Sequence, residues 1–148
     1  MKIVIRSIII LLSTILFSSG CDIRPGDFFI STIYTVSGII FSVGLSLIVT
    51  FNLNGVKNKI YIKRIRENLH SIRSSFIIEF AIATIAYILN KHIRTDFSTK
   101  TVFDIEIVFS FPVLFNIIIF YAIAYFITNM ISIEKLNEDI FDKINDEQ

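Results

Sequence analysis

The most constraining feature of this chain is a charge-free apolar run, residues 28–53, which exceeds the roughly 20 residues that a helix needs to cross a bilayer. Two further apolar runs follow it, 72–89, which contains Arg73 and Glu79, and the charge-free 107–133. A shorter run at 3–20 precedes it and contains Arg6. A mean hydropathy of +0.70 over 148 residues agrees with this pattern. Because a backbone in lipid must satisfy its own hydrogen bonds, the sequence predicts one all-α domain, an integral membrane bundle of four spans.

The first run, 3–20, allows two interpretations. Lys2 and Arg6 begin a short apolar stretch, and small residues lead to Cys21, as in a signal peptide that ends at a lipid-modified cysteine. Against this, Ser18 stands where such signals usually carry leucine. The run is therefore either a short span that stays in the protein or a signal that is cleaved. Cleavage would leave three spans, with Cys21 as a lipidation site.

The loops predict the orientation of the spans. The segment 57–74 has one acid, Glu67, against a set of lysines and arginines: Lys57, Lys59, Lys63, Arg64, Arg66 and Arg73. Loops enriched in these residues stay on the cytoplasmic side of a membrane. We therefore expect this segment and the C-terminal tail, 134–148, to be cytoplasmic.

Both of these segments have helical periodicity. In 57–74 the basic residues cover one side of an amphipathic helix, which we expect to contact anionic lipid headgroups or a partner protein. The tail is acidic, and it either clasps the basic segment, binds a regulator or is simply solvated. Tyr61 is the one aromatic residue of the basic segment. Without stacking platforms, no direct sequence-specific nucleic-acid binding is expected.

The second run carries small and hydroxyl residues on one stripe of a helix: Ser31, Thr35, Gly38, Ser42, Ser46 and Thr50. Small residues let membrane helices approach closely, so the stripe predicts a helix-packing face. Thr35, Gly38, Ser42 and Ser46 are the predicted seam of a homo-oligomer. The alternative is that the stripe lines a water-filled path in that oligomer. The two interpretations are compatible if the helix packs around a symmetry axis.

Glu79 and Asn116 are polar residues inside apolar runs. An ionisable residue within a span is usually partnered, and Glu79 shares a helix face with Ala83 and Ala86 that would point into the bundle. It is either an ion-binding or gating carboxylate, or a structural residue that reaches the membrane interface or pairs with Arg73. Asn116 is expected to form an interhelical hydrogen bond.

The sequence contains no constellation typical of an enzyme. It has one cysteine and two histidines, and His70 and His92 are expected on opposite sides of the membrane, so no metal site is predicted. Glycine-rich phosphate loops and nucleophile motifs do not occur in it. We therefore expect a non-enzymatic protein without a cofactor, whose partners are the lipid bilayer and other proteins.

The segment "YTVSGIIFSVGLSLIVTFNLNGVKNK", Tyr34 to Lys59, resembles the small multi-span effectors of bacterial anti-phage systems. Examples are the transmembrane effectors encoded beside retrons and the phage-exclusion protein RexB of lambda. The resemblance is one of topology over most of the chain, and no functional residue is carried over from it.

This resemblance implies an abortive-infection toxin of the bacterial inner membrane. A cytoplasmic protein or ribonucleoprotein complex would hold it silent, and on release it would damage membrane integrity or conduct ions. The alternative is a non-catalytic membrane anchor or immunity-type protein. Its basic loop and acidic tail would then recruit a cytoplasmic partner.

Overall fold

Four helices and a two-stranded hairpin make up the described part of this computed structural model, which covers residues 2–20, 25–54, 56, 58–93, 96–102 and 105–146. In chain order the elements are α1 (Lys2–Gly20), α2 (Asp27–Thr50), α3 (Lys59–His92), β1 (Asp96–Val102), β2 (Ile105–Ser110) and α4 (Phe111–Asp146). Helices α2, α3 and α4 are each long and apolar enough to cross a membrane, and α1 is a shorter apolar helix. The predicted helical bundle is confirmed.

The core of the bundle lies where α2, α3 and α4 pack together. Phe76 of α3 and Phe126 of α4 are fully buried at its centre, with their ring centroids 5.0 Å apart. Small residues contribute to the same core: Ala83 of α3 and Ala122 of α4 belong to the buried cluster, and Gly44 of α2 lies against the Phe76 ring. Small side chains of this kind allow helix backbones to approach closely, which leaves room for the rings.

The outside of the bundle is aliphatic. Large apolar side chains such as Leu16, Ile39, Val49 and Ile85 are more than half exposed. A soluble domain rarely exposes so extensive an apolar surface, because such a surface attracts other apolar surfaces. Lipid tails are as apolar as leucine, so the same surface needs no cover in a membrane.

The basic segment and the third apolar run form one continuous helix, α3, rather than two separate helices. Asn58 caps its start, where the side-chain Oδ1 accepts hydrogen bonds from the backbone N–H groups of Ile60 and Tyr61. The 34 residues of α3 extend about 50 Å at 1.5 Å per residue, which exceeds the roughly 30 Å of a hydrocarbon core. Helix α4, with 36 residues, likewise runs unbroken from its apolar part into the acidic tail.

The residues expected to begin the fourth span form a strand instead. β1 pairs antiparallel with β2, with Asp96 opposite Ser110 and Val102 opposite Ile105. The predicted start of the span at residue 107 is therefore wrong, because β2 continues to Ser110 and α4 begins at Phe111. Pro112 lies in the first turn of α4, where its missing N–H breaks no helical hydrogen bond.

Candidate functional site

A partly buried ion pair joins the first and third helices. Arg6 of α1 reaches Glu79 of α3, with Nη1 donating to Oε1 and Nη2 donating to Oε2, the second bond at 2.6 Å. The Glu79 side chain is 10% exposed and the Arg6 side chain 25%. Two parallel N–H···O bonds form the strongest arrangement between a guanidinium and a carboxylate. Each charge is therefore compensated within the bundle.

Tyr121 of α4 completes this cluster. Its ring lies against the Arg6 guanidinium, with 4.1 Å between Cζ and the ring centroid. At that distance a cation is attracted to the face of an aromatic ring. Three helices thus meet at one arginine, and we name Arg6, Glu79 and Tyr121 the arginine cluster.

The sequence predicts the orientation of Glu79 but not its partner. Glu79 is buried on the same face as Ala83 and Asn90, as expected. Its partner is Arg6 and not Arg73, which is exposed. From the sequence, Arg6 looks like part of the basic start of a signal segment. One feature of the sequence does indicate this pair. One apolar run contains an arginine and another contains a single acid, and a charged residue inside such a run needs a partner.

A second polar contact holds the other end of α1. The Ser19 hydroxyl accepts a hydrogen bond from the Val108 backbone N–H at 3.0 Å and donates one to the Val108 carbonyl at 3.3 Å. Cys21 lies outside the described residues, but cleavage before it would remove both Arg6 and Ser19. A buried carboxylate would then lose its partner, which is strongly destabilising. Helix α1 is thus held near both ends, by Arg6 at its start and by Ser19 at its end.

Asn116 lies beside an apolar groove of about 490 Å³ that α1, α2 and α4 enclose. Its Nδ2 donates to the Pro112 carbonyl at 2.7 Å. Its Oδ1 has no hydrogen-bond partner within the described part of the chain. The expected interhelical hydrogen bond is therefore replaced by a bond within α4.

The small-residue stripe of α2 faces outward. Thr35, Ser42 and Ser46 are exposed, and Gly38 is partly covered by the Phe80 ring of α3. The hydroxyls of Thr35 and Ser42 donate to the carbonyl oxygens four residues earlier, at 2.8 and 2.9 Å. Most of the stripe is thus not used for packing within one chain.

The inward face of α2 consists of other residues: Ile30, Ile33, Ser37, Gly44 and Ile48. Gly44 is the critical one, because a Cβ atom built there would overlap the ring of Phe76. The close approach of α2 and α3 therefore requires glycine at this position. The stripe pattern in the sequence does not reveal Gly44, since it lies on the opposite side of the helix from Ser42 and Ser46.

The basic part of α3 and the acidic part of α4 pack side by side through apolar residues. Ile65 and Leu69 of α3 belong to the same buried cluster as Ile133 and Ile140 of α4. None of the ion pairs among the described residues joins the two segments. The contact between them is therefore apolar, and it leaves the charged side chains on the outside.

The residues predicted to contact lipid or a partner are free to do so. Every one that the structure describes is exposed: Lys59, Lys63, Arg64, Arg66 and Arg73. Lys57 lies outside the described residues. Because α3 is continuous, these side chains project from an extension of the long apolar helix and not from a separate amphipathic helix.

No group of three or more histidine, cysteine, aspartate or glutamate side chains that could hold a metal ion occurs among the described residues. No protein-family model, no curated protein and no solved structure matches this chain.

Proposed function

We propose that this chain is a multi-pass inner-membrane effector of a bacterial antiviral system, which self-associates through α2 and perturbs the membrane when a partner complex releases it. The observation that supports self-association is the exposure of Thr35, Ser42 and Ser46 once the rest of the chain has packed. The antiviral role rests on the resemblance in topology to anti-phage effectors. The positive-inside rule orients the basic end toward the cytoplasm.

The stripe can contact lipid when the chain is alone, and it can contact another copy of the chain when the chain self-associates. The hydroxyls of Thr35 and Ser42 already bond to the backbone of α2, so contact with lipid leaves no donor of theirs unpaired. Small side chains let a second helix approach closely, and van der Waals packing drives helix association in lipid. Neither the lipid-exposed chain nor the self-associated chain therefore has a large free-energy cost, and a partner complex can shift the equilibrium between them.

The arginine cluster has a different role in this proposal. Both terminal nitrogens of the Arg6 guanidinium, Nη1 and Nη2, donate to Glu79, so the carboxylate is not available to an ion while α1 stays in place. A gating role for Glu79 requires α1 to move away from α3. We assign self-association to α2 and the cohesion of the single subunit to the arginine cluster.

The test measures membrane potential and crosslinking in bacteria that express this chain alone. We expect depolarisation, reported by a voltage-sensitive dye, and crosslinked multimers in isolated membranes. Ser42→Leu combined with Ser46→Leu should abolish both, because larger side chains hold the two helices apart. Val43→Leu enlarges an exposed side chain on another side of α2 and should change neither.

Two outcomes would contradict the proposal. A double variant that still depolarises cells and still crosslinks would refute the seam on α2. Cells that stay polarised with the unaltered chain present in their membranes would argue against the effector itself.

A second candidate is a non-catalytic anchor or immunity-type protein that recruits a cytoplasmic partner. The observation in its favour is that α3 and α4 extend together beyond their apolar parts, with exposed basic residues on one and exposed acidic residues on the other. Replacing Lys63, Arg64 and Arg66 by alanine separates the candidates. Loss of a copurifying partner with depolarisation retained indicates an effector controlled through this segment. Loss of all activity in a chain that still inserts indicates the anchor.

A further inference from the structure

An open cleft of about 450 Å³ lies where α2 ends and the basic part of α3 passes it. Arg66, His70 and Arg73 of α3 line it, together with Asn52 and Asn54 of the loop after α2. Residues spaced four and three apart share one face of a helix. The cleft therefore gathers three nitrogen-bearing side chains of α3 on a single side.

The two arginines of the cleft are not neutralised within the described part of the chain. The basic residues that form ion pairs within the described part of the chain are Arg6, Lys63 and Lys91. Arg66 and Arg73 form no ion pair or side-chain hydrogen bond with another described residue. A concave surface lined by uncompensated charge of one sign concentrates its field and attracts the opposite charge. The ligand of this cleft should therefore be an anion.

The nearest acidic cleft opens on another side of the same loop. It shares Asn52 and Asn54 with the basic cleft but is lined by Glu138 and Asp142 of α4. The Asn54 backbone N–H donates to the Asn52 side chain at 2.9 Å, which holds the loop in shape. The loop thus separates the two clefts, and the described residues that line the basic cleft include no acidic one.

The remaining lining of the basic cleft is apolar and comes from α2, the loop and α3: Ile48, Phe51, Leu53, Ile62 and Leu69. Helix α2 ends at Thr50, close to the end of its apolar run. In a bilayer this is the depth at which the hydrocarbon core gives way to the headgroups. An amphiphile with an anionic head and apolar tails matches both the charge of the cleft and its apolar lining.

We infer that this cleft binds the phosphate headgroup of an anionic phospholipid. Arg66 and Arg73 contact the phosphate oxygens, and the apolar lining contacts the first part of an acyl chain. Basic pockets at the cytoplasmic ends of membrane helices bind such headgroups by the same chemistry. The inference rests on the membrane insertion in the proposed function, but not on self-association or depolarisation.

The experiment compares two charge-matched double variants of the full chain. Arg66→Gln with Arg73→Gln removes the two arginines of the cleft, whereas Lys63→Gln with Arg64→Gln removes the same charge from α3 outside the cleft. Each purified protein is placed in phosphatidylcholine nanodiscs with or without phosphatidylglycerol. Native mass spectrometry then measures how much phosphatidylglycerol stays bound to the protein after the protein is released from the nanodisc. The unaltered chain and the Lys63/Arg64 variant should retain phosphatidylglycerol, while the cleft variant should bind it about thirtyfold more weakly.

Equal losses in the two double variants would mean that the whole basic surface attracts lipid, and the inferred site would be wrong. The unfolding midpoint of the unaltered chain provides a second readout. If inorganic phosphate raises it as much as phosphatidylglycerol does, the ligand is a soluble anion and the lipid assignment is overturned.

A conservative variant keeps the test decisive if the glutamine variant of the cleft fails to fold. Arg66→Lys with Arg73→Lys keeps the charge and should retain part of the lipid. Complete loss in this variant, with its helical circular dichroism unchanged, would still contradict a site that binds by charge. A chain that retains phosphatidylglycerol but never depolarises cells would support the site and refute the effector.

Discussion

Replacing Gly44 by alanine should weaken the contact between α2 and α3. A Cβ atom at this position would meet three atoms of the Phe76 ring, two of them at 3.2 Å, whereas carbon atoms pack best at about 3.5–4.0 Å. The ring has little room to turn aside. Phe76 is fully buried, and its centroid lies 5.0 Å from that of Phe126 and 5.9 Å from that of Tyr125.

Overfilling a well-packed core costs about 1–3 kcal/mol, which shifts a folding equilibrium by a factor of about 5 to about 140. Gly38→Ala is the matched control, because its Cβ would lie 3.8 Å from the nearest atom of Phe80, an ordinary contact. Both variants gain the same intrinsic helix preference, about 1 kcal/mol. The difference between them therefore isolates the overlap with Phe76.

The stability of both variants can be followed by near-ultraviolet circular dichroism during titration with a denaturing detergent. The chain has 15 phenylalanines and 5 tyrosines but no tryptophan, so this signal reports on the packed rings. Gly44→Ala should unfold at a lower detergent fraction than Gly38→Ala. Equal midpoints, or a more stable Gly44→Ala, would refute the placement of Gly44 against Phe76.

Two further predictions concern α1. Arg6→Gln should destabilise the bundle by about 3 kcal/mol, the lower end of the range for breaking a buried pair, because Arg6 is partly exposed. Arg6→Gln combined with Glu79→Gln should recover part of that loss in the same titration, and strictly additive effects would contradict the pair. We also expect the mature protein to keep α1, because Arg6 and Ser19 anchor its two ends. Intact-mass measurement checks this, and a lipid-modified chain that begins at Cys21 would show that α1 is removed.

Several features of the fold follow from the sequence by simple physical rules. The run at 28–53 predicts α2 because only a helix satisfies its own backbone in lipid. The helical period places Glu79 on a face with Ala83, and that face is buried. The start of α4 could not be found in this way, because residues 107–110 are as apolar as a span. Pairing with β1 makes them a strand.

By itself, the sequence determined that this chain forms apolar helices and that Glu79 needs a partner. Only the tertiary structure decided that the partner is Arg6, 73 positions away, because local periodicity does not say which helices pack together. It also decided that Gly44 faces the core while Ser42 faces outward. In a soluble helix the contrast between apolar and polar sides marks the inner face. Lipid is as apolar as the core, so no such contrast marks α2, and its orientation depends on how α3 and α4 pack against it.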